Sequence, residues 1–216
     1  WNSIIGADIN QDGQTDYIIG NLGLNSRYKS SENNPLQIHW ADFDKNGKSE
    51  AIISYIENGK RYPMHPRDDI FQQIPVLKKK FNDYHSYAQA TLSSLLGQTY
   101  LDSTENKLEA KTFSSILLIN KGEEGFDNIP LPNIAQVSPV FGIDAGDFDG
   151  DGRMEILLDG NFHQTEVITG QYDAGYGLRL EYSDNGAFLI KDQMLQLSGD
   201  VRSLVPIFLG KEYGLM

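Results

Sequence analysis

Gly6-Ala7-Asp8-Ile9-Asn10-Gln11-Asp12-Gly13-Gln14-Thr15-Asp16-Tyr17-Ile18-Ile19 is the stretch whose reading decides the fold. It returns as Trp40-Ala41-Asp42-Phe43-Asp44-Lys45-Asn46-Gly47-Lys48-Ser49-Glu50-Ala51-Ile52-Ile53 and as Ala145-Gly146-Asp147-Phe148-Asp149-Gly150-Asp151-Gly152-Arg153-Met154-Glu155-Ile156-Leu157-Leu158. Each copy reads Asp-x-(Asp/Asn)-x-(Asp/Asn)-Gly-x-x-(Asp/Glu), followed by three mostly apolar residues. Self-similarity of this kind is the signature of repeat architectures. One Asp/Asn/Gly cluster would be an ordinary surface turn; three with matched flanks call for a common cause.

Calcium supplies one. The ion takes six to eight hard oxygen ligands at about 2.3–2.6 Å. Oxygens at loop positions one, three and five wrap one side of it. Glycine at six permits the sharp turn that brings the carbonyl of position seven inward, and a carboxylate at nine closes the shell. An EF-hand begins the same way but requires a bidentate Glu at twelve and flanking helices. Position twelve here is Ile19, Ile53 and Leu158, and dockerin-type loops fail on the same residue. The acid stands at nine instead, as Asp16, Glu50 and Glu155, and the apolar residues after it run only three or four positions. That length predicts a short buried strand rather than a helix.

With these features the loops and their flanking strands resemble the FG-GAP repeats, also called VCBS-like repeats, of integrin-type β-propellers and many bacterial surface proteins. Phe141-Gly142 stands just upstream of the third loop, and Gly6-Ala7 and Ala145-Gly146 are partial echoes of the Gly-Ala-Pro element. The motif covers about a third of the chain. The resemblance implies an all-β protein, a partial β-propeller of about three to four blades, with each loop joining two strands of one blade. It implies three Ca2+ sites: Asp8, Asn10, Asp12 and Asp16; Asp42, Asp44, Asn46 and Glu50; Asp147, Asp149, Asp151 and Glu155. Gln14, Lys48 and Arg153 would add backbone carbonyls alone.

The composition narrows the partners. The 216 residues carry a formal charge of -12, which sets nucleic acid aside as a partner. No run of about 18 apolar residues is present, so no membrane span is expected. The absence of cysteine removes disulfides, thiolate metal sites and cysteine nucleophiles. The chain begins at Trp1 rather than Met and reads as a piece of a larger propeller chain.

Elsewhere, strands are expected at 51–56 and 60–64 around an Asn58-Gly59 turn, at 114–120, at 177–182 and 187–191 around Asp184-Asn185-Gly186, and at 202–209. Asp8 to Asp42 is 34 residues and Asp42 to Asp147 is 105, so the long interval must hold an insertion or a loop-less blade. Ile70, Ile74, Leu77, Phe81 and Tyr84 recur at helical steps, which predicts a helical insertion over 66–97 within a single propeller segment of 1–216. Pro75 should break or restart it, Gly97 should end it, and Lys78-Lys79-Lys80 reads as a solvated face.

His39, His65, His85 and His163 lack the spacing of a helical zinc site, and no Gly-x-Ser-x-Gly elbow or phosphate loop is present. Tyr172, Tyr176 and Tyr182 are candidates for inter-blade packing or for stacking on a ligand. The expected role is therefore non-enzymatic: protein interaction or adhesion, secreted or at the cell surface, where calcium is plentiful. The alternatives are a glycan-binding lectin-like propeller and a polysaccharide hydrolase or lyase domain. Asp173, Glu166 and Glu181 are the acids outside the loops that such an enzyme would draw on.

Overall fold

A computed structural model describes residues 1–102, 106–193, 195–209 and 212–215. The strands are β1 (Ser3–Ala7), β2 (Asp16–Gly20), β3 (Leu36–Ala41), β4 (Glu50–Glu57), β5 (Lys60–Pro63), β6 (Lys107–Ala110), β7 (Ile116–Asn120), β8 (Phe126–Pro130), β9 (Gly142–Gly146), β10 (Glu155–Asp159), β11 (Leu178–Tyr182), β12 (Phe188–Asp192), β13 (Pro206–Leu209) and β14 (Glu212–Leu215). The helices are α1 (Arg67–Gln73), α2 (Tyr84–Ala88), α3 (Leu92–Leu96) and α4 (Gln98–Asp102). The chain is thus mainly β, and twelve of the strands form three four-stranded antiparallel sheets. None of the described helices is long and apolar enough to cross a membrane.

The chain divides into two compact units, one of residues 1–27 with 113–216 and one of residues 28–112. In the first unit one four-stranded sheet runs β1-β2-β7-β8 and the second β9-β10-β11-β12, and β13 and β14 form a two-stranded sheet of their own. The second is a plain meander. The first is a meander interrupted after β2, where the whole of the other unit leaves and returns. This is the source of the 105-residue interval, because the second copy of the motif lies inside the inserted unit and the third lies beyond it.

The core of the first unit is built by its two four-stranded sheets: Ile18, Leu117 and Ile119 on one side, Ile143, Ile156, Leu158, Leu178 and Leu180 on the other. All five residues of β10 are buried, so Ile156-Leu157-Leu158 is an unbroken apolar run instead of an alternating one. Gly20 and Gly160 lie where the 139–141 segment crosses. A Cβ on Gly20 would collide with the Val140 carbonyl, and one on Gly160 with that of Pro139.

In the inserted unit the sheet order is β5-β4-β3-β6. Ile52 on β4 is covered by Ile70, Phe71, Ile74, Leu77, Phe81, Leu92 and Leu95 from the helical segment. The helical periodicity is real but broken into pieces. α1 ends at Gln73, and Pro75 opens a single 3₁₀ turn over Pro75–Lys79. α2 restarts behind Asp83, whose carboxylate accepts from Ser86 N at 2.7 Å. α3 closes at Gly97 with φ 89°, as its glycine signals, and α4 carries the helical region on to Asp102. Lys78, Lys79 and Lys80 are exposed.

The strand expectations hold at 50–57, 60–63, 116–120, 178–182 and 188–192. The one at 202–209 shortens to Pro206–Leu209, paired with β14. β6 and β8 were not foreseen; Lys107-Leu108-Glu109-Ala110 carries little apolar signal, and register with β3 holds it in the sheet.

Candidate metal centre

All three loops close hairpins in one register. Ala7 pairs with Asp16, Ala41 with Glu50 and Gly146 with Glu155, so the residue before each loop faces the acid at position nine. The backbones also match. Position four is left-handed in each loop, at Gln11 (φ 58°), Lys45 (φ 62°) and Gly150 (φ 78°). Position six is Gly13, Gly47 and Gly152 at φ 87–88°. Side chains rarely accept the position-four conformation without compensation.

That compensation comes from hydrogen bonds. The position-one carboxylate gathers backbone N–H groups from across the turn. Asp8 accepts from Asp12 N (3.0 Å) and Gly13 N (2.9 Å), Asp42 from Asn46 N (2.9 Å) and Gly47 N (2.8 Å), and Asp147 from Gly150 N (2.8 Å) and Gly152 N (2.9 Å). The position-five side chain accepts from position seven: Gln14 N to Asp12 at 2.8 Å, Lys48 N to Asn46 at 2.8 Å, Arg153 N to Asp151 at 2.9 Å. The Gln14 bond, seconded by Asn10, holds the Asp12 carboxyl below the usual range. Position three accepts from position five in each loop, at Asn10, Asp44 and Asp149.

The acid at nine is buried in all three loops and gives one oxygen to the N–H of position two: Asp16 to Ile9 (2.9 Å), Glu50 to Phe43 (2.8 Å), Glu155 to Phe148 (3.0 Å). What its other oxygen does separates the loops. In the first, Asp16 Oδ1 accepts from Asn120 N at 2.8 Å. In the third, Glu155 Oε1 lies 3.2 Å from the Arg179 guanidinium. In the second, Glu50 joins Asp42 and Asp44, with one oxygen of each within 4.8 Å of the others.

Two acidic clusters can therefore hold a metal ion: Asp42, Asp44 and Glu50, and Asp147, Asp149 and Asp151. The donors are carboxylate oxygens throughout, hard ligands that fit calcium or magnesium rather than a soft ion. In the first loop Asn10 replaces a carboxylate at position three and donates its amide to Asp12 at 2.9 Å, so three acids do not converge there.

The cluster of the third loop has company that the motif does not reveal. Lys191 Nζ lies 3.2 Å from Asp149, 3.5 Å from Asp151 and 3.0 Å from Glu181. Arg179 bonds Asp192 and Glu155, and Arg153 bonds Glu181 at 3.0 Å. Hydrogen bonding from Lys191 holds the Asp149 carboxyl below its ordinary value, while burial pushes that of Glu155 above its own. Arg179 and Glu181 stand two residues apart on one face of β11, and Lys191 comes from the neighbouring strand β12.

Among the other sequence candidates, Glu181 is buried within this ion network, whereas Asp173 and Glu166 are exposed. Tyr172 is buried and Tyr176 exposed, and Tyr182 packs against Phe188 with ring centres 5.2 Å apart. No protein-family model matches the chain, and no curated protein or solved structure matches it.

Proposed function

We propose that this chain is an FG-GAP-like, calcium-stabilised segment of a β-propeller, working outside the cytoplasm in protein interaction or adhesion rather than in catalysis. One observation carries the reading: three sequence copies of one motif adopt one backbone and one register, and in each the side chains at positions one, three, five and nine accept backbone N–H groups of their own loop. The propeller part is supported by three four-stranded antiparallel sheets, each with the motif joining two neighbouring strands.

Asp42, Asp44, Asn46 and Glu50 would hold one ion, with Lys48 giving its carbonyl. Asp147, Asp149, Asp151 and Glu155, with Arg153, would hold another, and Asp8, Asn10, Asp12 and Asp16, with Gln14, a third. Bound calcium supplies a positive charge that cross-links both ends of a hairpin. The residues themselves preform the turn and keep the acid at nine out of water. Preformed loops of this kind lose little conformational entropy on binding.

Titration calorimetry of the full chain with calcium, and separately with magnesium, tests this. The expected result is saturable calcium binding at more than one site, with magnesium weaker because it requires a tighter octahedral shell. Absence of calcium binding at millimolar concentration would overturn the metal assignment.

A further inference from the structure

The inserted unit contains a cleft whose chemistry is opposite to that of the loops. It measures about 510 Å³ and is lined, among others, by Gln37, His39, Lys60, Arg61, Thr91 and Lys107. None of its described lining residues is acidic, in a chain of net charge -12. The sheet places these groups together. His39 on β3 pairs with Lys107 on β6, Gln37 with Ser54 on β4, and Arg61 follows on β5.

Arg61 Nη1 donates to Ser54 Oγ at 3.2 Å and, at 3.4 Å, to the carbonyls of Ser54 and Pro35. These bonds fix the guanidinium by one nitrogen. Among the described residues its Nη2 and Nε have no hydrogen-bond partner. Ser54 Oγ also meets His39 Nε2 at 3.1 Å, so ring and guanidinium share one anchor. Burial, with Arg61 and Lys107 adding to it, pushes the His39 imidazole down to about 4. At neutral pH it is an uncharged hydrogen-bonding group in a positive field. Glu109 stands beside this group: its carboxylate pairs with Lys107 at 3.5 Å and accepts from Gln37 Nε2, which leaves Arg61 and Lys60 as the cations without an ion pair among the described residues.

We infer that this cleft binds a small carboxylate-bearing polyhydroxylated molecule, of the class of a uronic-acid sugar. A fixed arginine with a free edge presents parallel donors that match a carboxylate in two-point contact. Lys60 and Lys107 add charge. Gln37 Nε2 donates to Glu109, Thr91 Oγ1 accepts from Ser94 N and His39 Nε2 meets Ser54 Oγ; the Gln37 amide oxygen, the Thr91 hydroxyl and the second ring nitrogen of His39 keep the capacity for the mixed contacts that sugar hydroxyls need. A cleft of this volume takes a small ligand. The strongly acidic remainder of the surface disfavours an extended polyanion, leaving a ligand with a single negative group as the better match.

The test is titration of the full chain with sodium glucuronate, followed by calorimetry or by amide shifts, beside glucose and inorganic sulfate. It is run once with calcium and once with chelator, since the cleft does not depend on the loops being filled. Glucuronate is expected to bind saturably and more tightly than either control. Arg61→Gln should weaken it roughly tenfold or more, the loss of a charge-assisted contact. Lys107→Gln should weaken it several-fold and, at a partly exposed side chain, keeps the test valid if the arginine variant fails to fold. Equal binding of glucose would show that the charge is not read. Equal binding of sulfate would show that the sugar is not read. No saturable glucuronate binding, or unchanged affinity in a folded Lys107→Gln protein, would also overturn the inference.

Discussion

The second and third loops share sequence, register and backbone angles, yet their carboxylates face different electrostatic futures. In the inserted unit, Asp42, Asp44 and Glu50 converge with no lysine or arginine within ion-pair distance among the described residues. In the first unit, Asp149, Asp151 and Glu155 are met by Lys191 and Arg179 from β12 and β11. The same motif can therefore be neutralised from outside, by an ion, or partly from within, by its neighbours. At the third loop a bound metal cation would compete with a protein cation for one set of oxygens. The comparison teaches that the motif sets the loop's shape, while the adjacent strands set how much negative charge is left for a bound cation to neutralise.

The largest expected difference lies at position one. Asp42→Ala removes a ligand and leaves two backbone N–H groups without their acceptor. It should abolish the calcium-dependent stabilisation of the inserted unit, about 2.7 kcal/mol at a hundredfold excess over Kd, and cost a further ~1–3 kcal/mol without calcium. Asp147→Ala should lose as much in chelator but less of the calcium-dependent part. Hydrogen exchange in the two units, with and without calcium, measures both; equal calcium-dependent losses would break the comparison.

Acid sharpens it by opposing signs. His39 is held neutral down to about pH 4 when folded, against 6.5 unfolded. Between those values the unfolded chain binds the extra proton, so the inserted unit loses stability as pH falls from 6.5 to 4, by about 3 kcal/mol in all. Asp159 and Asp144 in the first unit have carboxyls raised by burial. There the folded state keeps the proton longer, so their contribution falls as pH rises above the ordinary carboxylate range. His39→Gln should flatten the acid loss in the inserted unit, and Asp159→Asn should raise the melting midpoint at neutral pH but not in acid. Unit-resolved hydrogen exchange across pH 4–7 reads both slopes, and slopes of one sign would contradict this assignment.

The smallest effect is at Lys191. Lys191→Gln removes the internal competitor and should raise calcium affinity at the third loop by up to about fivefold, since a partly exposed ion pair is worth no more than ~1 kcal/mol. In chelator the same variant should be slightly less stable. Unchanged or weaker calcium affinity would show that the lysine does not compete.

The loops and their strands were legible because Asp, Asn and Gly recur at fixed loop positions where a tight turn uses them, and because Tyr17-Ile18-Ile19, Ala51-Ile52-Ile53 and Ile156-Leu157-Leu158 are too short for helices and apolar enough to be buried. The helical region was legible from Ile70, Ile74 and Leu77, with Pro75 marking the break. The insertion point was not. Nothing local distinguishes the exit at Arg27 from the return at Phe113, because β2 and β7 become neighbours only through pairing of Ile18 with Leu117 across the inserted unit. The cations around the third loop were equally hidden. Lys191 reaches Asp149 through the order of β12, β11 and β10, which is a property of the sheet and not of any window of sequence. Arg61 and Lys107 are 46 residues apart and share a cleft for the same reason.

The most direct test of the account is a thermal melt of the full chain in calcium and again in excess chelator. Binding confined to the folded state predicts a midpoint lower by roughly 10–20 °C in chelator for a unit of this size, with the inserted unit falling further than the first. Superimposable melts in the two conditions would contradict it, leaving the three loops as turns held by their own hydrogen bonds alone.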